Sequence, residues 1–308
     1  MRASELALIT HAHADHARRG AARYIAHRDS VPILKKRLGD DQRIDAVDYG
    51  EPLTLGRTRV SLHPAGHVLG SAQVRVECDG QVWVATGDFK RDPDPTCAPF
   101  EVLPCDTFIS EATFALPIYR WPASSDVAQQ ILEWWQANRA AARPSVLFCY
   151  AFGKAQRVLA ELNRLTDAQV FEHGAVAELT RLYRDAGIQM LPTQKVDLRE
   201  KRDYSGELII APPGAAGSTW MRRFKDAVTG FCSGWMQVRG NRRRRGYDRG
   251  FVLSDHADWP SLLRTIDEVG ASKILLTHGH ADTLVRLLRE RGVDAAPLAL
   301  REREPADA

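Results

Sequence analysis

Short apolar runs that each end in histidine or aspartate limit the folds open to this chain more than any other feature. "LALIT" (6–10) leads into "HAHADH", which holds His11, His13, Asp15 and His16 within six positions. "RVSLH" (59–63) precedes "PAGHVLGS" with His67, "QVWVAT" (81–86) precedes "GDFK" with Asp88, and "KILLT" (273–277) precedes "HGH" with His278. A chain leaving a strand can turn alternate side chains to one side. Imidazole and carboxylate are preferred ligands of first-row metals, zinc among them. One local cluster cannot enclose two metals, so the residues at the other strand ends are expected to join it at one edge of a sheet. His27, His63 and His173 have no such neighbours in sequence and read as ordinary hydrogen-bonded histidines. His280 reads as a supporting or solvent-facing residue.

The texture of the chain divides it. Up to about residue 120 it is short β-rich runs broken by Gly, Pro and Asp, including "AQVRVEC" (72–78) and "DTFIS" (106–110). Asp79-Gly80 between two of these runs predicts a two-residue hairpin. From 121 onward helical spacing appears: Val127, Ile131, Leu132, Trp134 and Trp135 mark one helix, and "GKAQRVLAELNRL" (153–165) and "AVAELTRLYRDAG" (175–187) mark two more. "SVLFCY" (145–150) and "ELIIAP" (207–212) read as buried strands between and after them. The alternation predicts a small parallel α/β unit over 121–230. A strand and helix over 251–270, with Asp258 as cap and Pro260 in the first turn, and a last strand and helix over 273–292 complete the chain.

Bulk properties exclude several classes. No apolar run approaches the ~18 residues of a membrane span and no signal peptide opens the chain. Five cysteines without a CxxC pair fit reduced thiols and a cytoplasmic setting. The net charge of +3 says little about partners. The basic residues are nevertheless clustered. "MRRFKDA" (221–227) and "NRRRRGYDR" (241–249) offer phosphate contacts, Arg242, Arg243, Arg244 and Arg245 above all. Trp220, Trp235 and Tyr247 lie near enough in sequence to stack on unpaired bases. A solvated turn is the plain alternative for the arginines.

Three stretches bear on chemistry. "ISEATF" puts Glu111 just beyond a strand. "YAFGKAQRVL" sets Gly153-Lys154 at a strand-to-helix turn, where backbone N–H groups and Lys154 can meet an anion. "LSDHADW" puts His256 after another strand. Taken singly, Glu111 could be a surface carboxylate, Lys154 a solvated helix residue and His256 a neighbour of the capping Asp258.

As an ordered set, His11, His13, Asp15, His16, His67, Asp88 and His278 resemble the metallo-β-lactamase superfamily. The further order Glu111, insert, His256, His278 resembles its β-CASP branch of nucleic-acid-processing nucleases. Within that branch the chain is similar to bacterial DNA ligase-associated exonucleases of the DNA damage response. The resemblance implies an αββα sandwich with an inserted small α/β domain. Residues 1–120 and 231–308 would form the sandwich, and 121–230 the insert. It implies two divalent metal ions, zinc first and manganese second. His11, His13 and His67 would hold one, Asp15, His16 and His278 the other, and Asp88 would bridge. It further implies phosphodiester hydrolysis by two-metal activation of water, with Asp15 at the reaction centre and His256, oriented by Glu111, as general acid. DNA would be the substrate, with a DNA ligase and a helicase as functional associates and no membrane. His278 is the usual third-motif residue of the RNA enzymes, so an RNA-processing ribonuclease is the second reading. In this superfamily a strand pair and an aspartate motif usually precede HxHxDH, whereas Met1 stands only ten residues before His11. Their absence is expected to weaken metal binding, and it makes a nucleic-acid-binding module without turnover the third reading.

Overall fold

The computed structural model describes residues 4–238 and 246–298. Three parallel strands open the chain, β1 (Ser4–Leu8), β2 (Ala21–His27) and β3 (Ile44–Val47), in the order β1-β2-β3. Between β2 and β3 lies α1 (Val31–Leu38), with Pro32 in its first turn and Gly39 closing it. Residues alternate faces along β2. Tyr24 and Ala26 pack towards α1 with Ile33, Leu34 and Leu38. Ile25 turns the other way, onto Val60, Leu62 and Val74 of a second sheet.

That second sheet has seven strands in the order β16-β15-β8-β7-β6-β5-β4. They are β4 (Leu53–Leu55), β5 (Thr58–Pro64), β6 (Ala72–Cys78), β7 (Gln81–Ala85), β8 (Thr107–Glu111), β15 (Lys273–Thr277) and β16 (Asp294–Pro297). Cys78 pairs with Gln81 across Asp79-Gly80, and both turn residues have positive φ (51° and 80°), the conformation of the predicted hairpin. The outer face is covered by α5 (Trp259–Val269) and α6 (Ala281–Glu290), whose Leu262, Ile266, Leu284 and Leu288 meet Val84, Phe108, Ile274 and Leu276. Asp258 caps α5 by accepting a hydrogen bond from the Ser261 N–H at 2.9 Å, with Pro260 in the first turn. The layers are therefore helix, sheet, sheet, helix.

Six further strands make a wholly parallel sheet in the order β11-β10-β12-β9-β13-β14. These are β9 (Ser145–Phe148), β10 (Val170–Glu172), β11 (Thr193–Lys195), β12 (Leu208–Ala211), β13 (Val228–Cys232) and β14 (Arg249–Phe251). Helices α2 (Ser124–Ala140), α3 (Lys154–Leu162) and α4 (Gly174–Asp185) accompany it. Its inner strands β9 and β12 run buried on both faces, "VLF" and "LIIA" being continuous apolar stretches as a covered parallel sheet requires. Their packing merges with that of α1 and β2 in one core. No helix among the described residues is long and apolar enough to cross a membrane.

Candidate active site

Topology brings the polar loops together. In the seven-stranded sheet β7, β8 and β15 are parallel, and β6 runs against both β5 and β7. The β5–β6 turn with His67, the end of β7 before Asp88, Glu111 at the end of β8 and His278 after β15 therefore share one edge. The loop after β1 delivers His11, His13, Asp15 and His16 to the same place. From the other side, the carboxyl ends of β9, β13 and β14 deliver Tyr150 and Lys154, Ser233 to Trp235, and Ser254 to His256. Between them lies a cleft of about 530 Å³, lined by residues of both sides. Strand carboxyl ends of an α/β sheet are where ligand crevices form.

Close backbone approaches hold these loops. Gly66, before His67, has φ +72°, and a Cβ there would stand 2.3 Å from the Lys90 carbonyl oxygen. Gly87, before Asp88, has φ +58° and abuts Thr10. His278 itself has φ 63°.

His11, His13, His67 and Asp88 bring one ligand atom each within 4.8 Å of one another. The outward nitrogen of each imidazole is anchored. His67 Nδ1–H donates to the Asp255 carbonyl at 2.8 Å and His13 Nε2–H to the Phe152 carbonyl at 3.4 Å, while His11 Nδ1 meets Thr10 Oγ1 at 3.2 Å. The two carbonyl partners fix the tautomers of His67 and His13. The inward atoms, His67 Nε2 and His13 Nδ1, then face each other at 3.1 Å as two lone pairs. His11 Nε2 is buried without a hydrogen-bond partner, 3.4 Å from Asp88 Oδ2. Two lone pairs repel unless a cation lies between them. Ligands bound ~2.1 Å from a tetrahedral cation stand about 3.4 Å apart. The donor set therefore fits a metal ion.

Asp88 reaches two ways. Oδ2 faces His11 and, at 3.7 Å, His67; Oδ1 faces His16 Nε2 at 3.5 Å. Asp15 lies 3.7 Å from that same nitrogen, and His278 stacks on His16 with ring centroids 5.6 Å apart. Asp15, His16 and His278 thus gather on the far side of Asp88, with Asp15 and His278 exposed. They do not close as tightly as the first four; the second close group among the described residues is Asp88, Glu111 and His256. Burial, then neighbouring His11, lowers His13 to about 3 and His16 to about 4. Burial likewise holds His67 well below its ordinary value. These imidazoles are neutral near pH 7, the form that binds metal. Burial opposes the charge on Asp88, but His256, His11 and His67 outweigh it and hold its carboxyl well below the usual range.

His256 behaves oppositely. Its Nδ1 lies 2.9 and 3.1 Å from the two oxygens of the buried Glu111, which also accepts a hydrogen bond from the Phe89 N–H. Burial disfavours its charge, yet Glu111 and Asp88 raise its pKa to about 9. A protonated imidazole stands beside neutral ones in a single cleft.

Lys154 lines the cleft, but its ammonium is buried and bound to Asp255 at 2.6 Å, so it meets an anion of the protein itself. Trp235 lines the cleft; Trp220 and Tyr247 instead pack against the core of the six-stranded sheet. Arg242, Arg243, Arg244 and Arg245 lie outside the described residues. His27 stacks on Tyr49, His63 lies between Ser61 and Glu101, His173 caps α4 and His280 is exposed.

Comparisons with known proteins place this geometry. A "Probable DNA ligase" of Opitutus terrae is 33% identical over 295 residues, 93% of this chain and 28% of its own length. An "RNase J-like protein" of Methanocaldococcus jannaschii is 24% identical over 213 residues, 59% of this chain and 50% of its own. A crystal structure of a protein of unknown function from Enterococcus faecalis V583 superposes with a TM-score of 0.62 at 12% identity, covering 97% of this chain and 80% of that one. The chain belongs to the metallo-β-lactamase superfamily, in its β-CASP branch. Its fold is the αββα sandwich of that superfamily with an inserted α/β domain. No family model matches. The chain spans half or less of the length of these curated relatives.

Three supporting residues escape sequence reasoning. Asp255 orients His67 through its carbonyl and binds Lys154 through its carboxylate. Arg157 is fully buried, donates to the Ser254 carbonyl at 2.6 Å and faces Asp94 at 3.3 Å. Thr10 touches the rings of both His11 and His16. Asp255 stands beside His256 in "SDHAD", the one available signal; the partners of Arg157 are 33 to 98 positions away.

Proposed function

We propose that this protein is a metal-dependent nuclease that hydrolyses phosphodiester bonds, acting on DNA as an exonuclease in repair. The observation that carries the reading is the Glu111–His256 pair, at 2.9 Å, in the same cleft as a histidine and aspartate cluster fit for metal. A metal centre alone suits many hydrolases. A leaving sugar oxygen, however, needs a proton, and a buried carboxylate holding an imidazole protonated near neutral pH supplies one.

Divalent ions, zinc or manganese, held by His11, His13, His67 and the shared Asp88, and by Asp15, His16 and His278, would neutralise phosphate charge and acidify water. His256, bonded to Glu111 through Nδ1, turns Nε2 to the leaving oxygen and delivers its proton there. Glu111 keeps that ring charged and fixed. The Asp255 carbonyl holds His67 in its ligand tautomer. Residues 1–120 and 231–308 would act as one sandwich closed by the β8–β15 pairing, with 121–230 as the insert; the insert's sheet continues to Phe251.

The name of the Opitutus relative favours DNA and an association with a DNA ligase, to which a helicase would be the natural companion. His278 and the name of the Methanocaldococcus relative favour the second reading, a ribonuclease. The five free cysteines suit the reducing cytoplasm. End-labelled single- and double-stranded DNA and RNA, incubated with zinc or manganese and wild type or Asp88→Ala, decide among these. Nucleotide release from DNA alone supports the first reading and release from RNA the second. A gel shift without cleavage overturns both in favour of a binding module.

A further inference from the structure

Arg37 is the cation of the cleft that no motif accounts for. It stands on α1, exposed, and lines the same cleft as Asp15, His16 and His278. Along the helix it neighbours the buried Ile33, Leu34 and Leu38, so its stem lies at the edge of the core and its guanidinium reaches the cleft.

The helix is pinned at both ends to the loops of the metal site. Ser30 Oγ donates to the Gly70 carbonyl at 2.7 Å, in the turn that carries His67. Beyond the other end, Asp41 meets Arg19 at 3.7 Å, in the loop that follows His16. Lys36 binds Glu178 of α4, fixing α1 against the insert.

Charge placement then singles Arg37 out. Arg19 and Lys36 have carboxylate partners, whereas Arg37 forms no ion pair or side-chain hydrogen bond among the described residues. Partial burial pulls its pKa below the ordinary arginine value and Asp15 pulls it back. Asp15 belongs to the donor set expected to hold metal, which would draw much of its charge away from Arg37, and the two form no ion pair. A partly desolvated guanidinium beside a centre that attracts phosphodiesters calls for an anion from outside. Its planar fork matches two phosphate oxygens at once.

We infer that Arg37 binds a backbone phosphate of the nucleic-acid strand adjoining the scissile one, on the Asp15–His278 side of the cleft. The inference rests on the nuclease reading above. It is tested with Arg37→Gln and Arg37→Lys in the metal-loaded protein, using a fluorescent single-stranded oligonucleotide over a salt series, with steady-state cleavage and bound metal measured alongside. Losing one phosphate contact should flatten the slope of log K against log salt by about 0.7. KM should rise roughly tenfold for Arg37→Gln and less for Arg37→Lys, with kcat and metal content unchanged. Wild-type slope and KM in Arg37→Gln, or loss of its metal, would overturn the inference while leaving the nuclease reading in place. A wild-type protein that neither binds nor cleaves the strand would overturn both.

Discussion

Replacing Glu111 by Gln keeps the shape of the Glu111–His256 pair and removes its charge, which isolates what holds His256 protonated. In the metal-free protein His256 titrates at about 9, against ~6.5 for a free imidazole. That elevation, on a ring that is mostly buried, corresponds to about 3 kcal/mol favouring the charged form. Burial alone would push the value down, so with Glu111 neutral and only Asp88 left to raise it, His256 should titrate near 6.5 or lower. Because the folded-state pKa lies above the unfolded one, the charged pair contributes its full stability below pH ~6.5, and that stability is lost as pH rises through about 9. Histidine-resolved NMR titration of chelator-treated wild type and Glu111→Gln reads the first quantity. Urea midpoints between pH 6 and 9.5 read the second. Relative to Glu111→Gln, the wild type should lose stability over that window, because the stability that the lowered His13, His16 and His67 add as pH rises through ~6.5 is common to both proteins. A His256 signal still titrating near 9 in Glu111→Gln would refute the assignment of the carboxylate as its cause.

Other substitutions probe separate parts of the account. His256→Ala should lower kcat by roughly 10²–10⁴-fold while bound metal, measured by mass spectrometry, stays at the wild-type level. Lys154→Met leaves the buried Asp255 with Arg157 as its remaining cationic neighbour, at 3.5 Å, and should cost roughly 3 kcal/mol in chemical denaturation. Gly66→Ala, at φ +72° and against the Lys90 carbonyl, should cost at least ~2 kcal/mol and weaken metal binding by displacing His67.

What the sequence made legible was local. HxHxDH compresses four donors into six positions, the Asp79-Gly80 turn names its own geometry, and Asp258 with Pro260 marks a helix start within three residues. The convergence of His67, Asp88 and His278 on that cluster was readable because each follows an apolar strand, and strands in one sheet bring their ends to common edges. Harder were elements too short to carry a period: β10 and β11 have three residues each, and α1 only two turns. β2 reads "AARYIAH", whose small residues conceal a strand buried on both faces. The linked pairs were invisible for a different reason. Lys154 meets Asp255 and Arg157 meets Asp94 across long stretches of chain, so no local pattern marks either pair. Arg37, in "ILKKRL", gave no sign that Lys36 beside it finds a carboxylate while Arg37 pairs with none among the described residues.

The most direct test of the account is to strip the protein with a chelator, restore zinc or manganese stepwise, and follow bound metal and nucleotide release from an end-labelled strand in the same samples. Release should return in proportion to metal bound, and Asp88→Ala, lacking the carboxylate that faces His11, His67 and His16 at once, should bind less metal and release nothing. Full cleavage by the stripped protein, or by Asp88→Ala, would contradict the claim that this cluster is the centre of a metal-dependent nuclease.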